Sequence, residues 1–417
     1  SGEEIAKRIA RLVGEVKPEI VSAIAIEARS DGNLRHVPLL LARTLAQVAS
    51  GPIIGNTIAS VIQRADELAE FLSLYWKDKP DAPLDHQVKR GLRMAITKFD
   101  EYQLAKYDRR DAAVKLRDVL RIIRPKPAND AQSALWRRAV KGELATPDTW
   151  EAALTSGANK RETFERLIRE GKLGYFALLR NLRGMAAAGV DDKLIREAIV
   201  ARKGGADRIL PFRFVAAARA VPQFERELDR ALVAGIDRMA PWSGTTAVLV
   251  DVSSSMDAVL ASRGKGGFRR PKPGEPAPDP LKRVDAAAAL ASMIPGNVRV
   301  FSFSNTLVEV PPRRGMAGVD AILRSQVHSG TQLIDAVRQV NAKRGLEYDR
   351  IIVISDEQAA SDTGRLPAPN KGARGFIVNV ASAQNGVGYG PWVHLDGFSE
   401  SVLRWITAAE AGGISLD

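Results

Sequence analysis

The sequence predicts a multidomain chain: an all-α helical-repeat region over residues 1–240, then an α/β doubly wound domain over 241–417. Three observations carry this. Apolar residues recur at intervals of three and four throughout the first region, the spacing of one helix face, and strand-like alternation is scarce. Beyond Trp242 the pattern changes to short apolar runs, Ala247-Val248-Leu249-Val250 and Ile351-Ile352-Val353-Ile354, separated by helix-like segments. Continuous apolar strands alternating with helices are the pattern of a parallel sheet covered on both faces. Finally, 417 residues are too many for one hydrophobic core.

The helices expected in the first region are 3–16, 35–48, 53–76, 84–97, 111–122, 128–140, 147–154, 160–170, 174–187, 191–202 and 222–238. Asp81-Ala82-Pro83 separates one pair and Pro125-Lys126-Pro127 another, because proline lacks an N–H and pushes its predecessor out of the helical region. Thr146-Pro147 reads as an N-cap and first helical residue, with Trp150 on the first turn. Such short helices resemble stacked hairpins of the HEAT type, although no exact repeat is present. In the second region Asp285 to Met293 reads as an alanine-rich helix, Val298 to Phe303 as a strand and Thr331 to Lys343 as a helix. Arg350 to Ser355 and Gly375 to Val380 read as further strands. Between them, 261–280 is basic and rich in glycine and proline. It lacks the GxxxxGK[ST] order of a phosphate loop, so it is expected to be a surface excursion, either touching RNA or inert.

Charge is spread unevenly. From Trp242 onward 19 Lys and Arg face 17 Asp and Glu, leaving +2, and the residues before it, 42 against 32, carry +10 of the net +12. A basic surface favours polyanions through counterion release, so the first region is where nucleic acid should bind; a merely solvated basic surface is the alternative. No apolar run is long enough to span a membrane. Ser1-Gly2-Glu3-Glu4 has no apolar leader, and the missing initiator Met leaves upstream residues open. The absence of cysteine excludes disulfides and thiolate metal sites and is compatible with a reducing compartment, so the expected location is cytoplasmic.

Two constellations carry chemistry. Asp251, Ser253 and Ser255 form a DxSxS directly after a buried strand, Thr331 lies in a loop before a helix, and Asp356 closes a later strand. In that order they resemble the metal-ion-dependent adhesion site of a von Willebrand factor A domain. Their oxygens are hard ligands suited to Mg²⁺ or another divalent cation, with one position open for solvent or for the carboxylate of a protein ligand. A degenerate, metal-free version is the competing reading. The second constellation is basic: Lys106, Arg109, Arg110, Lys115, Arg117, Arg121, Arg124 and Lys126. Arg117, Arg121 and Arg124 step by four and three and share a helix face, where guanidinium forks match phosphate oxygens. Asp108, Asp111 and Asp118 imply partial internal pairing, and Tyr102 and Tyr107 either stack on bases or pack inside. A further group, Arg180, Asn181 and Arg183, follows the apolar run Tyr175 to Leu179, which is expected to be core, and projects from the last helical turn.

Lys98-Phe99-Asp100-Glu101-Tyr102-Gln103-Leu104-Ala105-Lys106-Tyr107, Lys115 to Leu120, Pro125-Lys126-Pro127 and Tyr175 to Arg183 together resemble the TROVE domain. Joined to an A domain, the chain looks like a bacterial member of the Ro autoantigen family. The resemblance implies a monomeric ring of helical repeats closed by the A domain. It further implies Y-like noncoding RNA on the outer ring surface, and single-stranded 3′ ends of misfolded noncoding RNA in a central hole. Polynucleotide phosphorylase, an exoribonuclease, is an implied partner in RNA quality control. Of the family's outer-surface contacts, Lys106 and Arg110 match a Lys and an Arg, whereas Arg124 stands where the family has a His. The family's Gly-rich N-terminal stretch is not seen before Ser1. No catalysis is expected: His36, His86, His328 and His394 share no ligand spacing, and Glu357 would act as a base only if substrate reached the metal. The alternative is a protein-binding A-domain adaptor whose basic charge is incidental.

Overall fold

Polar caps and prolines set where the first helices begin. The structure, a computed structural model, describes residues 2–80, 82–108, 112–209, 211–260, 281–356, 366–381, 390–397 and 400–411. It divides into two compact units, Ser1–Ala158 and Asn159–Asp417. In the first lie α1 (Gly2–Glu15), α2 (Pro18–Ser30), α3 (His36–Val48), α4 (Pro52–Val61), α5 (Asp66–Tyr75), α6 (His86–Ile96), α7 (Glu101–Tyr107), α8 (Leu116–Ile123), α9 (Asp130–Lys141) and α10 (Trp150–Thr155). Pro18 and Pro52 open α2 and α4, where a missing N–H costs nothing. The side chains of Asp85, Asp100, Asn129 and Thr149 accept N–H bonds from the first turns of α6, α7, α9 and α10. The cap of α10 is therefore Thr149 rather than Thr146, and the helix starts later than its sequence suggests. Neither α2 nor α7 is among the helices expected from periodicity, although the Asp100–Gln103 capping box marks the start of α7.

The expected helix 53–76 is two helices, because a buried ion pair interrupts it. Glu67, fully buried, accepts the N–H groups of Gln63 and Arg64 at 2.8 and 3.0 Å and Nη2 of Arg29 at 2.9 Å. The Arg29 Nε donates to the carbonyl of Val61 at 2.9 Å, and the Lys98 ammonium donates to the carbonyls of Ala59 and Ile62. The end of α4 and the start of α5 thus exchange helical bonds for side-chain bonds from α2 and from the segment before α7. Around this hub one apolar core collects Leu39, Ile54, Ile58, Leu68, Phe71, Leu92, Val119 and Trp136. At the crossing of α4 and α6, a Cβ on Gly91 would stand 2.7 Å from the Gly55 carbonyl oxygen, so only glycine permits that approach.

The second unit begins with α11 (Lys160–Arg169), α12 (Tyr175–Ala187), α13 (Asp192–Ala201), α14 (Pro211–Ala220) and α15 (Glu225–Ile236). The switch from helices to strands falls after α15, close to residue 240, but these five helices belong to the same compact unit as the sheet. The sheet contains β1 (Thr245–Asp251), β2 (Asn297–Phe303), β3 (Leu307–Val310), β4 (Arg350–Ser355), β5 (Arg374–Asn379) and β6 (Trp392–Asp396) in the order β3-β2-β1-β4-β5-β6. Its helices are α16 (Arg283–Ala291), α17 (Gly315–Leu323), α18 (Leu333–Ala342) and α19 (Glu400–Ala411). Ala247, Leu249, Ile351 and Val353 pack with Leu333, Val337 and Val340 of α18. Their alternates Val248, Val250, Ile352 and Ile354, equally buried, face the opposite side, as a period of two requires. The α/β expectation holds with one correction: β3 runs antiparallel to β2, because the short connection from Phe303 to Leu307 permits only a hairpin. The strands β3 and β6 and the helices α14, α17 and α19 are additions to the expected elements. Among the described residues no helix is long and apolar enough to cross a membrane. The basic excursion 261–280 lies outside the described residues.

Candidate functional site

β1 pairs with β2 on one side and β4 on the other, so chain order reverses between β1 and β4. Loops leaving the carboxyl ends of two such strands diverge and open a crevice. Asp251 ends β1 and Asp356 follows β4, both fully buried. Asp251 Oδ1 accepts the N–H of Ser253 at 2.8 Å, and its Oδ2 accepts the Ser355 hydroxyl at 2.6 Å. The hydroxyls of Ser253 and Ser255 lie 3.1 Å apart, and Ser255 donates to Asp356 Oδ1 at 3.2 Å. Asp356 Oδ2 accepts Nη1 of Arg283 at 2.7 Å. The loop bearing buried Thr331 is fastened to this cluster: the Ser254 N–H donates to the Ser329 carbonyl at 2.8 Å and that of Gln332 to the Ser304 carbonyl at 3.0 Å. Four of the five expected residues therefore share one hydrogen-bonded cluster, and the fifth sits in a loop tied to it.

Two carboxylates are buried together here. Burial pushes the Asp251 carboxyl up to about 6; bonds from Ser355 and Ser253 oppose that rise, and neighbouring Asp356 adds to it. Carboxylate and hydroxyl oxygens are the donor set that Mg²⁺ prefers. Ser355 and Arg283 belong to the cluster but were not foreseen. Ser355 stood beside Asp356 in the sequence, whereas nothing local marked Arg283. His328 supports the neighbouring loop, with Nδ1 3.0 Å from Asp257 and Nε2 3.1 Å from the Leu323 carbonyl. Glu357 lies outside the described residues.

The basic residues fall on separate faces. In α8, Arg117 and Arg121 point outward with Arg124, which caps the helix in a left-handed conformation at φ 45°. Lys126 is exposed beyond them. Lys115 is the N-cap; its N–H donates to Asp118 at 3.2 Å, and Arg117 lies 3.9 Å from the same carboxylate. Lys106 sits over the rings of Tyr102 and Tyr107 at 5.3 and 5.7 Å. Tyr102 is exposed, while Tyr107 packs against the core beneath the guanidinium of Arg64. Arg110, with Arg109 and Asp111, lies outside the described residues.

In the second unit, Arg180 and Arg183 lie in the middle of α12 and not in its last turn, exposed on one stripe with Phe176. Phe176 was expected in the core but is 48% exposed. Asn181 Nδ2 donates to the Ala177 carbonyl at 2.8 Å, so the side chain lies back along its own helix. Arg213, from α14, holds its guanidinium 5.5 Å from the Phe176 ring. Burial and the nearby Arg180 depress its pKa. Periodicity gave no sign of Arg213, because α14 itself was not foreseen.

Comparison with known proteins gives matches to the TROVE domain over residues 1–142 and 136–238. Two curated proteins, telomerase protein component 1 of Mus musculus and of Rattus norvegicus, are 32% and 31% identical over 96 residues, 22% of this chain. The match spans 4% of the length of these relatives. The crystal structure of the Deinococcus radiodurans RO (RSR) protein superposes with a TM-score of 0.70, covering 97% of this chain and 93% of that one at 16% identity. At that identity the likeness speaks to fold.

Proposed function

The chain belongs to the TROVE domain family, and from that premise we propose that it is a non-catalytic RNA-binding scaffold. The observation that carries the proposal is the outward arginine stripe of α8, continued by Lys126, in a region whose charge excess is +10. Lys106 with exposed Tyr102 offers a cation beside a stacking ring, a combination that suits nucleic acid. Phe176 with Arg180, Arg183 and Arg213 offers the same pairing a second time. The finer reading is a structured, Y-like noncoding RNA on the α8 surface and single-stranded 3′ ends of misfolded RNA held separately, with polynucleotide phosphorylase as a candidate partner.

A triple variant, Lys106→Glu, Arg117→Glu and Arg121→Glu, tests it by fluorescence anisotropy with a structured RNA across a salt series. Affinity should fall by at least about tenfold, and each lost phosphate contact should flatten the salt slope by about one unit. Unchanged affinity and slope would place the site elsewhere. Competition among tailed, blunt and 3′-blocked forms of one RNA addresses the 3′-end reading, which equal affinities would refute.

The acidic–hydroxyl cluster favours a second, compatible function. Read as an A domain, residues 241–417 would hold Mg²⁺ through Asp251, Ser253, Ser255, Thr331 and Asp356. When bound, the ion supplies an electrophilic centre that accepts the carboxylate of a protein ligand. Ser355 and the Ser253 N–H hold the Asp251 carboxylate in orientation, and Ser255 holds that of Asp356.

A further inference from the structure

Arg283 is placed oddly for a helix. It is the first residue of α16, where the positive end of the helix dipole disfavours a cation. Its guanidinium reaches the fully buried Asp356 carboxylate at 2.7 Å and is itself about a quarter exposed. Its position is secured on both sides. Before it, Lys282 Nζ lies 3.0 Å from Asp257; after it, Asp285 is gripped by both terminal nitrogens of Arg219. The Arg283 N–H donates to the Ala258 carbonyl at 3.0 Å, which ties the start of α16 to the turn following the DxSxS residues.

We infer that Arg283 is a built-in counter-ion of the Asp251–Asp356 pair, so that a divalent cation enters this site only in competition with the guanidinium. This rests on the metal reading proposed above and adds a control on it. Two buried carboxylates close enough for Asp356 to raise the pKa of Asp251 need positive charge nearby, and Arg283 brings a full one to Asp356. A dication drawn to the same carboxylates then meets repulsion from Arg283 or must displace it. Either route weakens its affinity by roughly the worth of one charge-assisted hydrogen bond, about tenfold or more. The same contact holds the cluster together without metal, because it offsets the repulsion that would otherwise open the two loops.

Calorimetric titration of MgCl₂ into chelator-treated wild type, Arg283→Gln, Arg283→Lys and Asp251→Ala, with thermal melts in chelator and in Mg²⁺, tests the inference. Arg283→Gln should bind Mg²⁺ about tenfold or more tightly than wild type, melt below it in chelator and recover in Mg²⁺. Arg283→Lys, keeping the charge, should stay within about threefold of wild type. Mg²⁺ binding by Arg283→Gln but not by wild type would support the inference most strongly. Equal, measurable affinities in wild type and Arg283→Gln, both abolished by Asp251→Ala, would overturn it and leave the metal reading standing. No binding by any of the four proteins would overturn the metal reading and this inference together. An Arg283→Gln variant that folds only with Mg²⁺ supports the inference; one still unfolded at saturating Mg²⁺ overturns it.

Discussion

Glu67 in the first unit and Asp251 in the second are both carboxylates with no exposed surface, yet they are solved differently. Glu67 faces a fixed cation, Arg29 at 2.9 Å, and two backbone N–H groups from the break between α4 and α5. Asp251 accepts from a hydroxyl and a backbone N–H, and the neighbouring carboxylate of Asp356 raises its pKa. A buried acid with its counter-charge built in is a structural joint. One left short of positive charge, at the carboxyl end of a central strand, is where the proposed cation would sit. Asp356 stands between the two, with Arg283 as a partial, partly exposed answer.

The comparison is broken or sharpened by removing each charge in turn. The largest effect should come from Glu67→Gln, which leaves Arg29 buried without a counter-ion and should cost about 3–5 kcal/mol in urea unfolding. A loss below about 1 kcal/mol would show that water or a neighbour replaces the carboxylate, and that the joint is not structural. Asp251→Asn should behave differently. It removes a charge that the fold barely compensates, and the Ser355 hydroxyl can rotate to accept from the new amide. Metal-free stability should change by less than about 1 kcal/mol while Mg²⁺ binding is lost in calorimetry. A large destabilisation would make Asp251 a second structural joint. The smallest effect should follow Asp118→Ala, a partly exposed acid that caps α8 and lies near Arg117. Loss of the cap should cost about 0.5–1 kcal/mol by thermal melting, with RNA affinity unchanged or slightly raised because Arg117 is freed. A drop in RNA affinity would tie α8's integrity to binding more closely than its exposed arginines suggest.

Much of this was legible from residues alone where the signal is local. The change near residue 240 from a period of three or four to short apolar runs separates α15 from β1, since each secondary structure imposes its own spacing on the side chains it buries. Asp251, Ser253, Ser255 and Asp356 were readable because each follows closely on a strand that the sequence makes plain. The stripe Arg117, Arg121 and Arg124 was readable because four-and-three spacing fixes a helix face. Only the tertiary structure decided the rest. It cut 53–76 into α4 and α5, because Arg29 and Glu67 are 38 residues apart and their pairing leaves no periodic trace. It set Arg213 beside Phe176 from another helix, and it exposed Phe176, whose type alone argued for burial. It brought Arg283 to Asp356 across 73 residues, at a helix position where local rules disfavour a cation. Periodicity records which face a residue turns inward; the partner it meets there depends on how distant segments fold together.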